Sequence, residues 1–258
     1  MRLGRTLADL SYWPRIYARG FFELWRDSGP ALAVLVTAAN LVGHRRAAWI
    51  RLHGFTIEIR TGSPDLMVAV DSLGDEFRVL EGRPDPGGLI IDAGGYIGTA
   101  ALKFAALFPD SKIVTLEPSR QNRALLRRNV EGVANITVVG AALAADEGEA
   151  LLRDAGSGEW GFSMVAAGDA IDTVPTVTVE ALMAGAGRDA LFLLKLDVEG
   201  AEREILAASD GWMGRTEIVI AELHEALAPG ATAAFATATT GRINTYLPGE
   251  KVMSMRAP

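Results

Sequence analysis

The sequence predicts an α/β fold in which a mostly parallel sheet carries helices on both faces, with a helical extension before it. From residue 89 onward, short apolar runs alternate with stretches of helical period, which is the pattern of buried parallel strands joined by crossover helices. A Pro- and Gly-rich cluster at 81–88 separates this region from the residues before it. We therefore expect a helical extension over residues 1–50, a lead-in over 51–88 and the core over 89–258.

The residues before the core are predicted to be mainly helical. Residues 5–26 predict one or two short helices interrupted near Pro14. Pro30 begins a further helix that extends to about residues 44–48, since proline is tolerated at the first helical position. Apolar residues alternate in the second half of 51–60, as in a half-buried strand. The remaining predicted elements are helices at 65–80, 99–107, 120–130 and 201–208, and strands at 89–91, 112–116, 136–139, 190–196 and 217–221.

A long connection separates the third and fourth core strands. Residues 149–180 include a glycine-rich, aromatic stretch at 156–164. A loop that covers an acceptor and a disordered connector both remain open as interpretations.

Charge and composition exclude several classes of function. The chain of 258 residues has 25 Lys and Arg against 32 Asp and Glu, a net charge of −7. Proteins that bind nucleic-acid duplexes usually have the opposite field, so we predict no nucleic-acid partner. Cysteine is absent, which removes disulfides, thiolate metal sites and cysteine nucleophiles. This composition is compatible with the reducing cytoplasm, where we place the chain.

The amino-terminal end differs in charge from the rest. Residues 1–60 contain nine Lys and Arg against four Asp and Glu, a net charge of +5. The longest apolar stretch, residues 31–42, is shorter than the roughly 20 residues of a membrane-spanning helix, and no secretory signal begins at Met1. We expect this end to pack as a helical subdomain. Contact of residues 1–48 with an anionic membrane surface is the alternative.

A glycine-rich turn follows the first core strand. Gly94, Gly95 and Gly98 allow a sharp turn into a helix, whose free N–H groups face an anion such as a carboxylate or a pyrophosphate. Asp92 precedes the first glycine by two residues. A carboxylate there suits the ammonium group of a methionine moiety better than a pyrophosphate, and the glycine spacing lacks the G-x-G start of the dinucleotide fingerprint.

Two further motifs end later strands. Glu117 ends the second strand, where an acidic side chain can accept hydrogen bonds from both ribose hydroxyls of an adenosine. Asp197 ends a buried strand, and Glu199 and Glu202 follow at the start of the next helix. Acidic residues in a first helical turn also stabilise the helix, so we interpret Glu202 as structural.

These motifs together resemble the FkbM-family methyltransferases. They are Asp92-Ala-Gly-Gly-Tyr-Ile-Gly98, Leu116-Glu-Pro118, Lys195-Leu-Asp-Val-Glu-Gly-Ala-Glu202 and Ala221-Glu-Leu-His224, in the order and spacing of that family. The resemblance spans about residues 51–245. The chain departs from it at Gly95-Tyr96, where the family commonly has Ala-Asn, and at Ser119-Arg120, where it commonly has Asn-Pro. A bulky Tyr96 is expected to reshape the mouth of the cofactor site.

The resemblance implies a Rossmann-like, class I methyltransferase that uses S-adenosylmethionine. It also implies O-methylation of a hydroxyl group, often on a sugar or natural product, so the expected partner is a small-molecule or glycan acceptor. With the motifs above, it implies the cofactor-binding residues Asp92, Gly94, Gly95, Tyr96, Gly98, Glu117, Pro118 and Asp197.

A hydroxyl acceptor benefits from a base that removes its proton as the new bond forms. The candidates lie at carboxyl ends of strands and are Asp197, Glu199, Glu222 and His224. His224 is preferred because the unperturbed pKa of histidine is ~6.5; a histidine that caps a loop is the structural alternative. No Asp-Asn pair follows downstream of Asp197, so we predict no metal.

Two other classes of function remain as alternatives. An NAD-dependent enzyme on the same fold class would need a Tyr-x-x-x-Lys pair or similar, and the sequence has none. A non-catalytic module that binds an adenosyl ligand or a partner protein would retain the pocket without turnover.

Overall fold

The computed structural model describes residues 9–154, 161–165, 168–247 and 251–257, with only the backbone for residues 9–16. The helices are α1 (Asp9–Ser28), α2 (Pro30–Leu41), α3 (Asp65–Leu73), α4 (Thr99–Leu107), α5 (Arg120–Asn129), α6 (Val179–Gly185), α7 (Glu202–Ala207) and α8 (Ala231–Ala238). The strands are β1 (Ala47–Leu52), β2 (Phe55–Arg60), β3 (Leu89–Ala93), β4 (Lys112–Leu116), β5 (Ile136–Val139), β6 (Ala142–Leu143), β7 (Gly148–Asp154), β8 (Phe162–Ser163), β9 (Asp169–Val177), β10 (Leu191–Leu196), β11 (Thr216–Glu222), β12 (Ile243–Tyr246) and β13 (Lys251–Met255).

The chain divides into two compact units, residues 1–81 and 82–258. The first unit contains α1, α2, α3 and the antiparallel pair β1–β2. The second contains a seven-stranded and a four-stranded sheet. The division falls within the Pro- and Gly-rich cluster at 81–88, so the strands of residues 47–60 belong to the first unit.

The predictions for the first two helices are wrong. α1 is continuous through Pro14, so the missing backbone donor of this proline does not interrupt the helix. α2 ends at Leu41 rather than at residues 44–48, since Gly43 adopts φ +66° and its N–H donates to the carbonyl of Asn40. Among the described helices, none is long and apolar enough to cross a bilayer.

The lead-in also differs from the prediction. Residues 47–60 form a β-hairpin instead of one strand, and His53 and Gly54 connect its strands with φ +48° and +86°. Two consecutive residues with positive φ match the twist of a two-residue hairpin. The predicted helix at 65–80 is shorter than expected: α3 ends at Leu73, and Arg78–Leu80 form a separate 3-10 turn.

The central sheet has the strand order β12-β13-β11-β10-β3-β4-β5. β3, β4, β5, β10 and β11 run parallel, while β13 is antiparallel to both of its neighbours. This confirms the predicted α/β, Rossmann-like class I methyltransferase sheet. Helix α4 and strands β4 and β5 lie at the predicted residues. The carboxyl ends of β3, β4, β10 and β11 therefore meet at one edge.

The connection between the third and fourth core strands is largely a second sheet. β7 and β9 pair antiparallel over most of their length, with β6 and β8 at the two sides. Its own small core contains Ala142, Leu152 and Val174. Residues 148–154 and 169–177 are therefore neither loop nor disordered connector, because their backbones pair as antiparallel strands and Leu152 and Val174 are buried between them and Ala142. Of the predicted glycine-rich stretch, residues 156–160 lie outside the described residues.

The core of the second unit lies around β3 and β10. Every side chain of β3 is buried, and Leu193, Leu194 and Leu196 of β10 are fully enclosed. Trp212 and Phe235 pack on the same cluster. Strands buried on both faces place rigid backbone directly beneath the residues at their carboxyl ends.

Candidate functional site

The sequence-predicted site residues come together at the carboxyl edge of the central sheet. Asp92 lies within β3, Glu117 follows β4, Asp197 follows β10 and His224 follows β11. Neighbouring parallel strands end at this edge, so the four side chains share one region.

The glycine turn after β3 fits tightly between the neighbouring strands. Gly94 has φ +86°, and a Cβ atom there would lie 1.9 Å from the carbonyl oxygen of Asp197. A Cβ atom on Gly95 would lie 2.2 Å from Oγ1 of Thr115. The N–H groups of both glycines donate to the carbonyl of Leu116, at 3.2 and 2.7 Å. Both glycines are thus required by contacts within the protein itself.

Tyr96 and Gly98 complete this turn. Tyr96 has φ +47°, unusual for a residue with a side chain, and is only 9% exposed. Its backbone N–H donates to Oε2 of Glu117 at 2.8 Å. Gly98, at φ +91°, leads into α4 without a side-chain cap. The Tyr96 side chain therefore lies mostly inside the protein.

Glu117 is enclosed and holds the turn. Its Oε1 accepts the N–H of Ser119 at 2.8 Å, beside the bond from Tyr96. Burial raises the pKa of Glu117 to about 7, although both backbone hydrogen bonds oppose this rise. The carbonyl groups of Glu117 and Pro118 each accept from Nη1 of Arg123 at 2.8 Å. The segment after β4 is thereby fixed.

Asp92 is paired with Lys195, a residue that sequence reasoning missed. Asp92 is fully buried; its Oδ2 accepts from the hydroxyl of Thr115 at 2.8 Å, and its Oδ1 lies 3.2 Å from Nζ of Lys195. Lys195 also donates to the Gly94 carbonyl at 2.9 Å and lies 3.3 Å from Oδ2 of Asp197. The cation beside Asp92 is therefore this lysine. The sequence does contain a signal for this pairing, because Lys195 is the single charged residue within the otherwise apolar predicted strand 190–196.

His224 lies among three carboxylates. Its Nδ1 is 2.7 Å from Oε1 of Glu202, and its Nε2 is 3.6 Å from Glu199 and 4.0 Å from Asp197. Glu202 is fully buried and also accepts the N–H groups of Val198 and Gly200. Glu202 caps this turn, as the sequence suggested, and in addition orients the histidine.

The charges of this cluster change the expected role of His224. Burial alone would lower the pKa of His224, but the hydrogen bond to Glu202 and the charges of Glu199, Glu202 and Asp197 raise it to about 10. Burial raises the pKa of Glu199 to about 7 against the pull of His224. A pKa raised this far above neutral favours the imidazolium near pH 7, which argues against the preferred role of His224 as the base.

Asp197 and Glu222 are each held by a lysine. For Asp197 the charge of Lys195, with that of His224, outweighs burial and lowers the pKa. Oε2 of Glu222 lies 3.0 Å from Nζ of Lys251, its partner in the β11–β13 ladder. The pKa is lowered for Asp197, raised to about 10 for His224 and raised to about 7 for Glu199, so among these three Glu199 lies nearest neutral pH.

The loop that holds Glu199 is strained and supported from the second sheet. Glu199 has φ +53°, and non-glycine residues in this region cost about 1–2 kcal/mol. Its carbonyl accepts from the hydroxyl of Ser163. A Cβ atom on Gly200 would lie 2.5 Å from Cγ2 of Val165. Backbone strain that surrounding contacts maintain is common at functional sites.

Asp197, Glu199 and His224 also have the spacing of a metal site. Among the described residues, one ligand atom from each lies within 4.8 Å of the other two. The sequence predicted no metal. Metal binding here would require His224 to lose its proton, so a cation and the imidazolium exclude each other.

Comparison with known proteins gives one family. The family model described as the methyltransferase FkbM domain matches residues 92–248. No curated protein matches the chain.

Several solved structures are similar in fold. A precorrin-6y C5,15-methyltransferase from Geobacter metallireducens is 13% identical, with 76% of this chain and 90% of that chain covered and a TM-score of 0.44. A methyltransferase from Geobacter sulfurreducens is 17% identical, with 70% and 74% covered and a TM-score of 0.39. An rRNA methylase from Streptococcus thermophilus is 14% identical, with 71% and 95% covered and a TM-score of 0.44.

Replacement of Gly94 by alanine tests the packing of the turn. The matched control is Gly132→Ala, at φ +81° with no atom within 4 Å of the added Cβ. We expect Gly132→Ala to lower the free energy of unfolding by about 1–2 kcal/mol through its backbone conformation alone. Gly94→Ala should cost at least ~2 kcal/mol more, because the carbonyl of Asp197 must move. Urea unfolding measures both; equal losses would contradict the close approach.

Replacement of Glu202 by glutamine tests the charge on His224. The loss of a carboxylate 2.7 Å away should lower the pKa of His224 from about 10 by at least ~1 unit. NMR titration of the imidazole ring measures this, with Glu204→Gln on the same helix as the control. Because the folded-state pKa is raised, the stability that protonated His224 contributes should be complete below about pH 6.5 and disappear through about pH 10. An unchanged ring titration in Glu202→Gln would refute this role.

Proposed function

The chain belongs to the FkbM methyltransferase family, whose model covers more than half of it, and on that premise we propose that it transfers a methyl group from S-adenosylmethionine to a hydroxyl oxygen of a small-molecule or glycan acceptor. One observation carries the proposal. Glu199, a carboxylate with a pKa of about 7, lies 3.6 Å from His224 at the sheet edge that holds the glycine turn. A carboxylate that gains and loses a proton near neutral pH can act as the base that takes the proton from the acceptor hydroxyl.

The residues around the turn fit the cofactor. Each carboxylate oxygen of Glu117 accepts one backbone N–H, and the side chain of Asn122 also bonds to this carboxylate. Two carboxylate oxygens offer about four acceptor positions, so the group still has capacity for a ribose hydroxyl. The uncapped start of α4 offers N–H groups to a carboxylate. When bound, S-adenosylmethionine supplies a methyl group attached to a sulfonium sulfur. After the methyl group is transferred, the rest of the cofactor leaves as a neutral thioether. Asp197, which stays ionised beside Lys195, places a negative charge at the same edge.

We assign the proton transfer to Glu199. Its side chain is 25% exposed, so an acceptor hydroxyl can reach it. The proton passes from that hydroxyl to the Glu199 carboxylate as the oxygen forms its bond to the methyl group. The imidazolium of His224 orients this carboxylate, and Glu202 orients the imidazolium in turn. Much of the acceleration would come from alignment of the oxygen with the methyl group.

Charge and exposure support a small, hydroxylated acceptor. The chain outside residues 1–60 has a net charge of −12, the difference between −7 and +5. Such a field disfavours polyanionic acceptors. Val165, which borders Gly200, is 44% exposed and offers an apolar contact next to Glu199. These features favour an uncharged acceptor such as a sugar or natural product.

The pH dependence of turnover tests the assignment of Glu199. With hydroxylated sugars and metabolites screened for the mass gain of one methyl group, the rate should rise through about pH 7 as Glu199 loses its proton and fall through about pH 10 as His224 does. Glu199→Gln should lower turnover by at least ~100-fold and remove the ascending limb. Its dissociation constant for S-adenosylmethionine should change little.

The control for this experiment is Glu131→Gln, an exposed residue in the turn after α5, which should keep the rate and both limbs. Retention of the ascending limb in Glu199→Gln would assign the proton to another group. Loss of wild-type activity with a chelator, restored by Mg²⁺, would instead assign Asp197, Glu199 and His224 to a metal.

Proton release on cofactor binding tests the role of Glu117. Ribose hydroxyls bind the ionised carboxylate, so binding below pH 7 must release the proton that burial retains on Glu117. Calorimetry in two buffers of different ionisation heat should show this release at pH 6 and its loss at pH 8.5, with tighter binding at the higher pH. Glu117→Gln should weaken binding by about 1–3 kcal/mol and abolish the release. Glu199→Gln should retain it; equal release in Glu117→Gln would exclude the ribose contact.

A further inference from the structure

Helix α2 is apolar on two opposite faces, and one of them is exposed. Ala33 and Val36 are fully buried. The exposed face, here called the outer stripe, consists of Ala31, Val34, Leu35, Ala38, Leu41 and Val42. These positions recur at the spacing of one helical face. The outer stripe contains no polar residue.

The exposure of the outer stripe is large. Its valines and leucines are 55–77% exposed, where an ordinary surface helix has charged or polar residues. Helix α1, which packs against α2, adds Phe22 at 68% and Trp25 at 49% exposure. Single exposed apolar residues are normal, but a continuous apolar row indicates a binding surface.

The charged residues near the outer stripe in the sequence are all basic. No Asp or Glu occurs between Asp27 and Glu58, a segment that contains three arginines. Arg45 and Arg46 follow the stripe directly and are exposed. A second copy that paired through the same outer stripe would bring the same cationic residues, so such a symmetric pair has no complementary charge. Anionic lipid headgroups do offer it.

The dimensions of α2 suit the plane of a membrane surface. Its 12 residues span about 18 Å, too short for a hydrocarbon core of ~30 Å. An apolar face of this length can lie in the boundary between headgroups and acyl chains.

We propose that the outer stripe of α2 binds the protein peripherally to an anionic lipid surface, with Arg45 and Arg46 contacting the headgroups. The apolar side chains contribute burial and the arginines contribute attraction to the charged surface. This inference concerns the first unit alone and does not depend on the proposed reaction.

Sedimentation of the full chain with vesicles tests the proposal. The protein should bind vesicles of phosphatidylcholine with phosphatidylglycerol, and bind vesicles of phosphatidylcholine alone far more weakly. Leu35→Glu with Leu41→Glu should weaken binding at least ~10-fold, because two buried apolar contacts are lost and two negative charges added. Arg45→Gln with Arg46→Gln should weaken it about fivefold per arginine and reduce its salt dependence.

The matched control is Leu151→Glu, which replaces a leucine of 45% exposure on β7 and should leave vesicle binding unchanged. Unfolding temperatures and light scattering accompany each variant, so that loss of folding is recognised; if the double leucine variant is unfolded, the arginine variant carries the test. Failure of the folded wild-type chain to bind anionic vesicles would overturn the proposal. An equal loss of vesicle binding in Leu151→Glu would also overturn it. The same holds if the wild-type chain is a dimer that does not bind vesicles and that Leu35→Glu with Leu41→Glu dissociates.

Discussion

A buried ammonium group holds the carboxyl edge of the sheet together. Nζ of Lys195 lies 3.2 Å from a carboxylate oxygen of Asp92 on one side and 3.3 Å from one of Asp197 on the other. It also donates a hydrogen bond to the carbonyl of Gly94. A charge in the interior is stable only when it is paired and hydrogen-bonded. The lysine therefore fixes the first glycine of the turn and the carboxylate after β10 relative to each other. Everything proposed for cofactor and acceptor depends on that spacing.

His224 forms a second centre of the same kind next to the first. Asp197 contributes to both, since its two oxygens lie near Lys195 and His224. Two cations and several carboxylates thus alternate along the edge, and each sets the protonation of its neighbours. Glu199 is the most exposed member of the second centre apart from Asp197, and this position allows its carboxylate to exchange a proton with a bound acceptor.

Sequence reasoning predicted the elements whose signals are local. α4, β4 and β5 follow from short apolar runs and helical spacing, and the glycine turn and Glu117 follow from motif spacing. The hairpin at His53–Gly54 was missed because the two residues are not the usual Asn-Gly. The second sheet was missed because β7 and β9 bury few side chains each. The pairing of Lys195 with Asp92, and the pKa of His224, depend on contacts between residues 22 to 103 positions apart, which no local pattern contains.

The carbonyl oxygen of Asp197 occupies the volume that a side chain at Gly94 would need, and this has an evolutionary consequence. The turn after β3 and the end of β10 are in direct contact, so a shift of one toward the other produces a steric clash. The two segments must therefore change together or not at all. Adaptation to a new acceptor is therefore expected to leave this part of the edge alone. More mutational freedom is expected at the second sheet and the segment after β8, where Val165 borders Gly200 from outside the central strands. New substrates would be acquired there, around a fixed centre.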